Sequence, residues 1–201
     1  FYMRHHFNFA LILYKVRRLV DMILQPYYNE HKTFGGNTLD KWDHRFMDMT
    51  RLVAGWSSCF QPGRAIGAVI VKDKRVMTTG YNGAPAGIRT CKERGECLRR
   101  KLDIPSGTRQ EVCYAIHAEQ NAIIQAAKLG ISIDGGTLYC THQPCSVCAR
   151  IIANAGIRRV VYEQGYPDGF TLEIFTETGI LLEKYERPPA DEVDWTTESM
   201  P

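Results

Sequence analysis

Residues 137–162, TLYCTHQPCSVCARIIANAGIRRVVY, hold the pattern that decides the fold. Residues 137–141 and 159–162 are short runs rich in apolar and β-branched side chains, and each run predicts a strand. Between them, residues 145–154 predict a helix that ends at Gly156, because glycine commonly follows the last helical turn. When a helix makes the crossover between two strands of one sheet, the strands run parallel. The stretch therefore predicts a strand–helix–strand unit in an α/β domain.

The neighbouring segments supply the other strands and helices. Residues 39–56 carry an apolar stripe at helical spacing, and residues 65–79 predict a hairpin around a polar turn. Residues 117–128 are rich in helix-forming side chains. A further helix is predicted over 168–178 and a last strand over 180–185. We therefore expect an α/β three-layer sandwich, in which a five-stranded mixed sheet is flanked by helices.

The composition fits one folded domain and limits the classes of function. The chain has 201 residues, of which 44% are hydrophobic and 23% charged, so neither a disordered nor a fibrous protein is expected. The formal net charge of +3 is small for a dedicated nucleic-acid-binding protein. No apolar run reaches the roughly 20 residues that span a bilayer. Seven cysteines, an odd number, favour metal chemistry over disulfides and predict a reducing, cytoplasmic location without a membrane partner.

The chain divides into a main domain with additions at both ends. Residues 1–38 predict an N-terminal extension with one amphipathic helix. This predicted helix has three interpretations. It packs on the domain or on an oligomeric neighbour, it binds a membrane surface, or it belongs to an extension without a function of its own. Residues 39–185 form the predicted main domain, and residues 186–201 a mobile tail. Residues 84–112 lack periodicity and predict a long structured insertion, and insertions of that length are usually functional.

Three potential metal ligands stand at the starts of two predicted helices. His117 begins one helix, and Cys145 and Cys148 begin the other. The spacing of the two cysteines places both sulfurs on one face of the first helical turn, where the helix dipole favours thiolates. Two thiolates and an imidazole fill three tetrahedral positions of Zn²⁺ and leave the fourth open, as in catalytic zinc sites. The alternative is a closed, structural zinc site with a fourth protein ligand.

Glu119 follows His117 by two residues in the same helical turn. Its carboxylate can therefore face the same metal without being required as a ligand. A carboxylate beside zinc can accept a proton from an activated water molecule and pass it to a leaving group. A purely structural zinc has no need of such a carboxylate. The four residues together predict zinc-dependent hydrolysis, with Glu119 as the catalytic acid and base.

Four motifs make the chain resemble the cytidine deaminase superfamily and, within it, the deoxycytidylate (dCMP) deaminases. The resemblance covers roughly residues 40–182, and its motifs are GYNGAPAG at 80–87, HAEQNAI at 117–123, THQPCSVC at 141–148 and AGIRRVVY at 155–162. His-x-Glu followed by Pro-Cys-x-x-Cys is a known signature of zinc nucleobase deaminases. The Gly-Tyr-Asn-Gly segment, followed by a cysteine-bearing insertion, is typical more narrowly of dCMP deaminases.

The resemblance implies a cytidine deaminase-like fold and the hydrolysis of dCMP to dUMP and ammonia, which supplies dUMP for thymidylate synthesis. It implies His117, Cys145 and Cys148 as ligands of a catalytic Zn²⁺, and Glu119 as the proton shuttle. It also implies a homo-oligomer with dCMP as substrate and no nucleic-acid partner. Activation by dCTP and inhibition by dTTP are common in the family, and Mg²⁺ would accompany such a triphosphate.

Two residues match positions that meet nucleotide in the family. Asn82 lies in the loop that contacts substrate or effector, and Tyr166 matches a tyrosine that closes on the nucleotide. The alternatives are that Asn82 is a plain turn residue, for which Asn-Gly is well suited, and that Tyr166 is an ordinary half-buried aromatic residue.

Some members of the family hold a second, structural zinc. Four cysteines of this chain fall in matching places, namely Cys59, Cys91, Cys97 and Cys113. A metal bound there would explain how an insertion with little apolar content stays ordered, because ligand binding and loop folding are coupled. Cys59 departs from the family pattern, since it lies somewhat further upstream of the first strand. Cys140, inside a predicted strand, is interpreted as a small core residue.

The insertion is also basic. Residues 89–111 contain seven basic and four acidic side chains, a surplus of +3 that equals the surplus of the whole chain. A phosphate-bearing ligand would find its countercharge there, and the alternative is a solvated charged loop.

Two other functions compete with dCMP deamination. One is a tRNA adenosine deaminase or a related nucleoside or nucleotide deaminase; the insertion disfavours the tRNA deaminase. The other is a zinc-stabilised binding module, which Glu119 disfavours.

Overall fold

The structure is a computed structural model, and the parts of the chain that it describes are residues 39–105, 108–165 and 169–189. The helix predicted within residues 1–38 lies outside these ranges, as does the predicted tail beyond residue 189. None of the described helices is both long and apolar enough to cross a membrane. The elements in chain order are α1 (Lys41–Ala54), β1 (Gly67–Lys72), β2 (Arg75–Tyr81), α2 (Cys91–Arg94), α3 (Leu98–Lys101), a 3₁₀ turn (Gln110–Val112), α4 (Ala118–Leu129), β3 (Thr137–His142), α5 (Ser146–Asn154), β4 (Arg159–Gln164), α6 (Gly169–Glu177) and β5 (Leu181–Lys184).

The strands form one mixed sheet in the order β2-β1-β3-β4-β5. β1 is antiparallel to both β2 and β3, whereas β3, β4 and β5 run parallel. The register pairs Ala68 with Gly80 on one side and with Cys140 on the other, and Cys140 with Tyr162. The five-stranded mixed sheet predicted from the sequence is confirmed, as is the parallel pairing of strands that a helix connects.

Helices cover both faces of the sheet, and β1 shows why. Its side chains alternate, so that Ala68 and Ile70 enter one apolar cluster while Val69 and Val71 enter the other. All four side chains are buried. The first cluster includes buried residues of α4, α5 and α6, and the second includes buried residues of α1. The expected three-layer α/β sandwich follows, with α1 on one face and α4, α5 and α6 on the other.

The hairpin of β1 and β2 is longer than the sequence predicts. Its two turn residues, Asp73 and Lys74, have φ angles of 50° and 59°, as a two-residue turn of type I′ requires. The predicted second strand ends at residue 79, but β2 continues through Tyr81. The reason is pairing rather than local propensity, because Gly80 and Tyr81 lie opposite the first two residues of β1.

The insertion between β2 and α4 contains the one-turn helices α2 and α3. Thr90 and Glu93 cap the start of α2 reciprocally, and Gly95 ends it with a φ angle of 68°. The Lys92 amide donates a hydrogen bond of 3.3 Å to the Ser58 carbonyl, which ties α2 to the segment that precedes β1. The described part of the insertion is thus held by backbone hydrogen bonds and caps rather than by a large apolar core.

A buried ion pair fastens α1 to the sheet. The Asp43 carboxylate is 4% exposed and accepts hydrogen bonds from Arg159 at 2.6 and 3.1 Å and from the Tyr139 hydroxyl at 2.6 Å. Burial would raise the pKa of Asp43, but the hydrogen bonds from Arg159 and Tyr139 outweigh it and hold that pKa below its usual value. The carboxylate therefore stays ionised and links α1 to β3 and β4.

We expect Asp43→Asn to lower the free energy of unfolding by about 3 kcal/mol, because it removes the buried carboxylate that pairs with the partly buried Arg159 and leaves Glu183 as the remaining partner of that guanidinium. Urea denaturation at neutral pH measures the change. The control is Asp48→Asn, whose side chain is 45% exposed and pairs with Arg51 on the surface of α1. That control should cost less than about 1 kcal/mol. Equal effects of the two substitutions would show that the buried pair does not fasten α1.

Candidate metal centre and active site

The topology brings the starts of α4 and α5 to the same edge of the sheet. β2 and β3 are both antiparallel to β1 and therefore run in the same direction. His117 is the residue just before α4, and Cys145 is the residue just before α5. Because each helix begins after the carboxyl end of its strand, these residues meet at one edge, where ligands commonly bind in α/β sheets.

Close packing of α4 on β2 depends on Gly80. A Cβ atom at this position would collide with the backbone of Ala118 and Ala122 in the first turns of α4. The absence of a side chain allows the helix to lie directly on the strand. The glycine that opens the Gly-Tyr-Asn-Gly motif therefore sets the position of His117.

The three predicted ligands converge. The Nδ1 atom of His117 lies 3.3 Å from the Cys148 sulfur and 3.6 Å from the Cys145 sulfur. All three potential ligand atoms lie within 4.8 Å of one another, and no other group of three or more such residues in the described part of the chain does so. A tetrahedral zinc with Zn–S and Zn–N bonds of about 2.3 and 2.0–2.1 Å places its nitrogen and sulfur ligands about 3.6 Å apart. The donor set and its spacing fit Zn²⁺.

The electrostatics of the site favour a thiolate at Cys145. The hydrogen bond from the Cys148 thiol lowers the pKa of Cys145 to about 4, against the effect of burial, and a hydrogen bond from His117 adds to the shift. The same bond between the sulfurs raises the pKa of Cys148, which donates it. The hydrogen bond to Cys145 in turn raises the pKa of His117. The group thus concentrates negative charge on sulfur, where a zinc ion would bind.

Glu119 lies in the first turn of α4, and only 4% of its surface is exposed. Burial raises the pKa of its carboxyl, although the neighbouring His117 acts in the opposite direction. Its carboxylate is not part of the three-ligand group. A buried acid beside a metal centre, without a place among the ligands, is suited to proton transfer.

Asn82 is buried, and hydrogen bonds hold it at the start of the insertion. Its side-chain oxygen accepts from the Ile66 amide at 2.8 Å, and its side-chain nitrogen donates to the Arg64 carbonyl at 2.7 Å. The next residue, Gly83, forms an isolated bridge with Ile116, directly before His117. Asn82 therefore ties the turn to the segment before β1 and stands near the centre, while its contact with nucleotide stays a prediction. Tyr166, the other predicted contact, lies outside the described residues.

The four remaining candidate cysteines gather around Cys91. The Cys91 thiol is buried, and burial together with the charges of Cys113, Cys59 and Cys97 raises its pKa. The four do not reach the close mutual spacing of the His117 group. Cys140 is fully buried in the apolar cluster under α4 and α5, as predicted for a core residue.

Two residues close to the centre carry no sequence signal that singles them out. Gln143 stands two residues before Cys145, and both polar atoms of its side chain are buried without a hydrogen-bond partner among the described residues. Arg99, in α3, lies near enough to His117 for its positive charge to oppose protonation of the imidazole.

Residues 40–164 match the model of the cytidine and deoxycytidylate deaminase zinc-binding region. The chain therefore belongs to this zinc-dependent deaminase family. It is 36% identical over 148 residues to the deoxycytidylate deaminase of Schizosaccharomyces pombe, covering 73% of this chain but only 45% of that relative. It is 38% identical over 146 residues to ComE operon protein 2 of Bacillus subtilis, with coverages of 72% and 71%.

Two viral proteins are similar over most of their own length. The deoxycytidylate deaminase of Mycobacterium phage D29 is 41% identical over 128 residues, which cover 60% of this chain and 93% of the phage protein. The dCMP deaminase of cyanophage S-TIM5, solved in complex with dCMP and dUMP, is 30% identical, with a TM-score of 0.58 and coverages of 71% and 95%. The matches agree with the deaminase resemblance drawn from the sequence motifs.

We expect purified Cys148→Ser protein to contain about one zinc ion per chain less than the wild type, because a serine hydroxyl is a poor replacement for a thiolate ligand. Elemental analysis measures the zinc, and circular dichroism checks that the fold is kept. The matched control is Cys140→Ala, which changes another buried cysteine outside the ligand group and should keep the wild-type zinc content. A Cys148→Ser protein with undiminished zinc would contradict the assignment of this ligand.

Proposed function

We propose that this chain catalyses the zinc-dependent hydrolysis of dCMP to dUMP and ammonia, and so supplies dUMP for thymidylate synthesis. The observation that carries the proposal is the convergence of His117, Cys145 and Cys148 beside a buried Glu119 that does not belong to the ligand group. Relatives named deoxycytidylate deaminase, and a similar enzyme solved with dCMP and dUMP, support this choice of substrate.

The chemistry divides between the metal and Glu119. Zinc, when held by His117, Cys145 and Cys148, activates a water molecule as the nucleophile. Glu119 accepts a proton of this water and delivers it to ring nitrogen N3 while oxygen bonds to C4 of the cytosine. Glu119 then carries the second proton to the amino group, the C4–N bond breaks, and ammonia leaves. In the overall reaction, dCMP and water give dUMP and ammonia.

Burial of Glu119 supports this role. A proton shuttle works best when its pKa lies near the working pH, and a buried carboxyl has a raised pKa. Seclusion from bulk solvent also keeps the transferred proton between the carboxylate and the substrate. A carboxylate exposed on the surface of α4 would lack both properties.

We propose that Cys59, Cys91, Cys97 and Cys113 hold a second, structural zinc. Their gathering around the buried Cys91 supports the proposal, and so does the Ala115 amide, which donates a hydrogen bond of 3.4 Å to the Cys113 sulfur. The wider separation of these sulfurs means that they must draw together to share an ion. Metal binding would then stabilise the insertion that it folds.

Further features are proposed from the family resemblance. They are a catalytic domain over residues 39–185 with an extension and a tail, a homo-oligomer, a cytoplasmic location, and regulation by dCTP and dTTP together with Mg²⁺. Asn82 and Tyr166 are proposed to contact substrate or effector nucleotide. The bridge between Gly83, which follows Asn82, and Ile116, which precedes His117, supports the part of Asn82 in this assignment.

We expect Glu119→Gln to lower kcat for dCMP by at least about a hundredfold, because general acid–base groups typically contribute 10²–10⁴. Zinc content and thermal stability should stay near the wild-type values, since Glu119 is not a ligand. Steady-state kinetics with ammonia detection measures the change. The control is Glu111→Gln, an exposed acid of the insertion that pairs with Arg109. Near-native turnover by Glu119→Gln would remove this residue from the mechanism.

We expect Cys91→Ser to lose about one zinc ion per chain and to become more sensitive to proteolysis within residues 84–112, because metal binding and loop folding are coupled. Elemental analysis and mass spectrometry of the proteolytic fragments measure both effects. Cys140→Ala serves again as the control for a buried cysteine. Wild-type protein with a single zinc per chain, together with unchanged proteolysis of Cys91→Ser, would show that the second site does not exist.

A further inference from the structure

The outer surface of α1 is not polar throughout. The helix faces the sheet with buried residues such as Phe46, Thr50 and Val53. One outer flank, the α1 strip, consists of four residues at spacings of three and four, namely Arg45, Met49, Leu52 and Trp56. Leu52 is 65% exposed and Trp56 is 55% exposed. The outer side of a surface helix is expected to be polar, so these exposed apolar side chains indicate an interaction surface.

The two ends of the α1 strip differ in character. At one end, the Arg45 guanidinium lies 4.7 Å from the centroid of the Trp42 ring, and the Lys74 ammonium lies 5.3 Å from the same centroid. No carboxylate in the described ranges forms an ion pair with Lys74. At the other end, Trp56 meets the Tyr81 ring edge to face, with the centroids 6.3 Å apart. The strip therefore runs from a cationic end to an aromatic end.

The chain leaves β5 beside this strip. Tyr185, directly after β5, is buried in the apolar cluster beneath α1. Two residues later, the Arg187 guanidinium lies 3.5 Å from the Asp48 carboxylate. On a helix, Asp48 is the neighbour of Arg45, three residues before it, and of Leu52, four residues after it. The contact between Arg187 and Asp48 therefore directs the chain from β5 to the strip.

Residues 190–201 follow next in the chain, and their composition complements the strip. They contain four acidic side chains and no lysine or arginine. Two apolar side chains, Val193 and Trp195, stand among these acids. Fully extended, the segment reaches about 40 Å, whereas the 14 residues of α1 span about 21 Å. The segment is therefore long enough to follow α1, and its charge is opposite to that of the cationic end.

We propose that residues 190–201 bind the α1 strip of their own chain. Acidic side chains of the segment pair with Arg45 and Lys74, while Val193 and Trp195 cover the apolar side chains of the strip. Binding removes exposed apolar surface from water and brings carboxylates to the cations around the strip. Because Arg187 already holds the chain at α1, the segment binds at a high effective concentration. α1 lies on the face of the sheet opposite to α4 and α5, so this contact is separate from the metal centre.

Photocrosslinking tests the contact directly. The photoreactive amino acid p-benzoylphenylalanine replaces Leu52 in the full chain, and mass spectrometry identifies the cross-linked peptides. We expect cross-links from position 52 to residues 190–201. The matched control places the same amino acid at Leu129, which is 63% exposed in α4 on the opposite face of the sheet, and should give no cross-link to this segment. A mixture of ¹⁵N-labelled and unlabelled protein shows whether the two joined peptides come from one chain.

The dependence on charge separates ionic pairing from apolar contact alone. Arg45→Gln combined with Lys74→Gln should lower the yield of the cross-link at least about threefold, because surface ion pairs contribute modestly but measurably. The control, Arg89→Gln combined with Arg100→Gln, removes two exposed positive charges from the insertion and should leave the yield unchanged. Raising the salt concentration to about 1 M should act like the first pair of substitutions, since the Debye length then falls to about 3 Å. Circular dichroism checks that all variants are folded.

The remaining outcomes overturn the proposal. If position 52 forms no cross-link, or forms cross-links only to other parts of the chain, residues 190–201 do not cover the α1 strip. Cross-links that join labelled to unlabelled peptides would show that the strip binds a second copy of the chain instead. An unchanged yield after the substitutions at Arg45 and Lys74 would contradict the pairing of the acidic segment with these cations.

Discussion

The shared direction of β2 and β3 is the constraint on which the site depends. Since both strands are antiparallel to β1, the helices that follow them begin at one edge of the sheet. His117 from one helix start then meets Cys145 and Cys148 from the other, although 28 residues separate His117 from Cys145. Gly80 completes the arrangement, because it lets α4 lie close enough to β2 for the ligands to converge. This arrangement of ligands is the one expected in a zinc-dependent deaminase.

The two faces of the sheet carry different parts of the structure. The face under α4 and α5 carries the metal centre at one edge and the larger of the two apolar clusters. On the opposite face, α1 contributes apolar contacts and the ion pair of Asp43 with Arg159, which belongs to β4. This pair links α1 to β4, the strand that follows α5, on the face of the sheet opposite to α5. The ion-pair network and the metal centre therefore both involve β3, through Tyr139 in the strand and Cys145 after it.

Local sequence patterns predict the strands, the main helices and the ligand set, because periodicity, helix ends and the Pro-Cys-x-x-Cys spacing are all short-range signals. Contacts between distant residues are not predictable in this way. The Asp43–Arg159 pair joins residues 116 positions apart. The continuation of β2 through Tyr81 depends on its pairing with β1. The hydrogen bond of 2.7 Å from Arg99 to the Pro105 carbonyl, within the insertion, also appears only in the folded chain.

The central claim is that His117, Cys145, Cys148 and Glu119 together hydrolyse the C4 amino group of dCMP. The most direct measurement incubates zinc-loaded wild-type protein with dCMP in H₂¹⁸O and analyses the nucleotide by mass spectrometry. The account predicts dUMP that carries one oxygen atom from the solvent, formed with an equal amount of ammonia. Unchanged dCMP, or dUMP without the label, would contradict it.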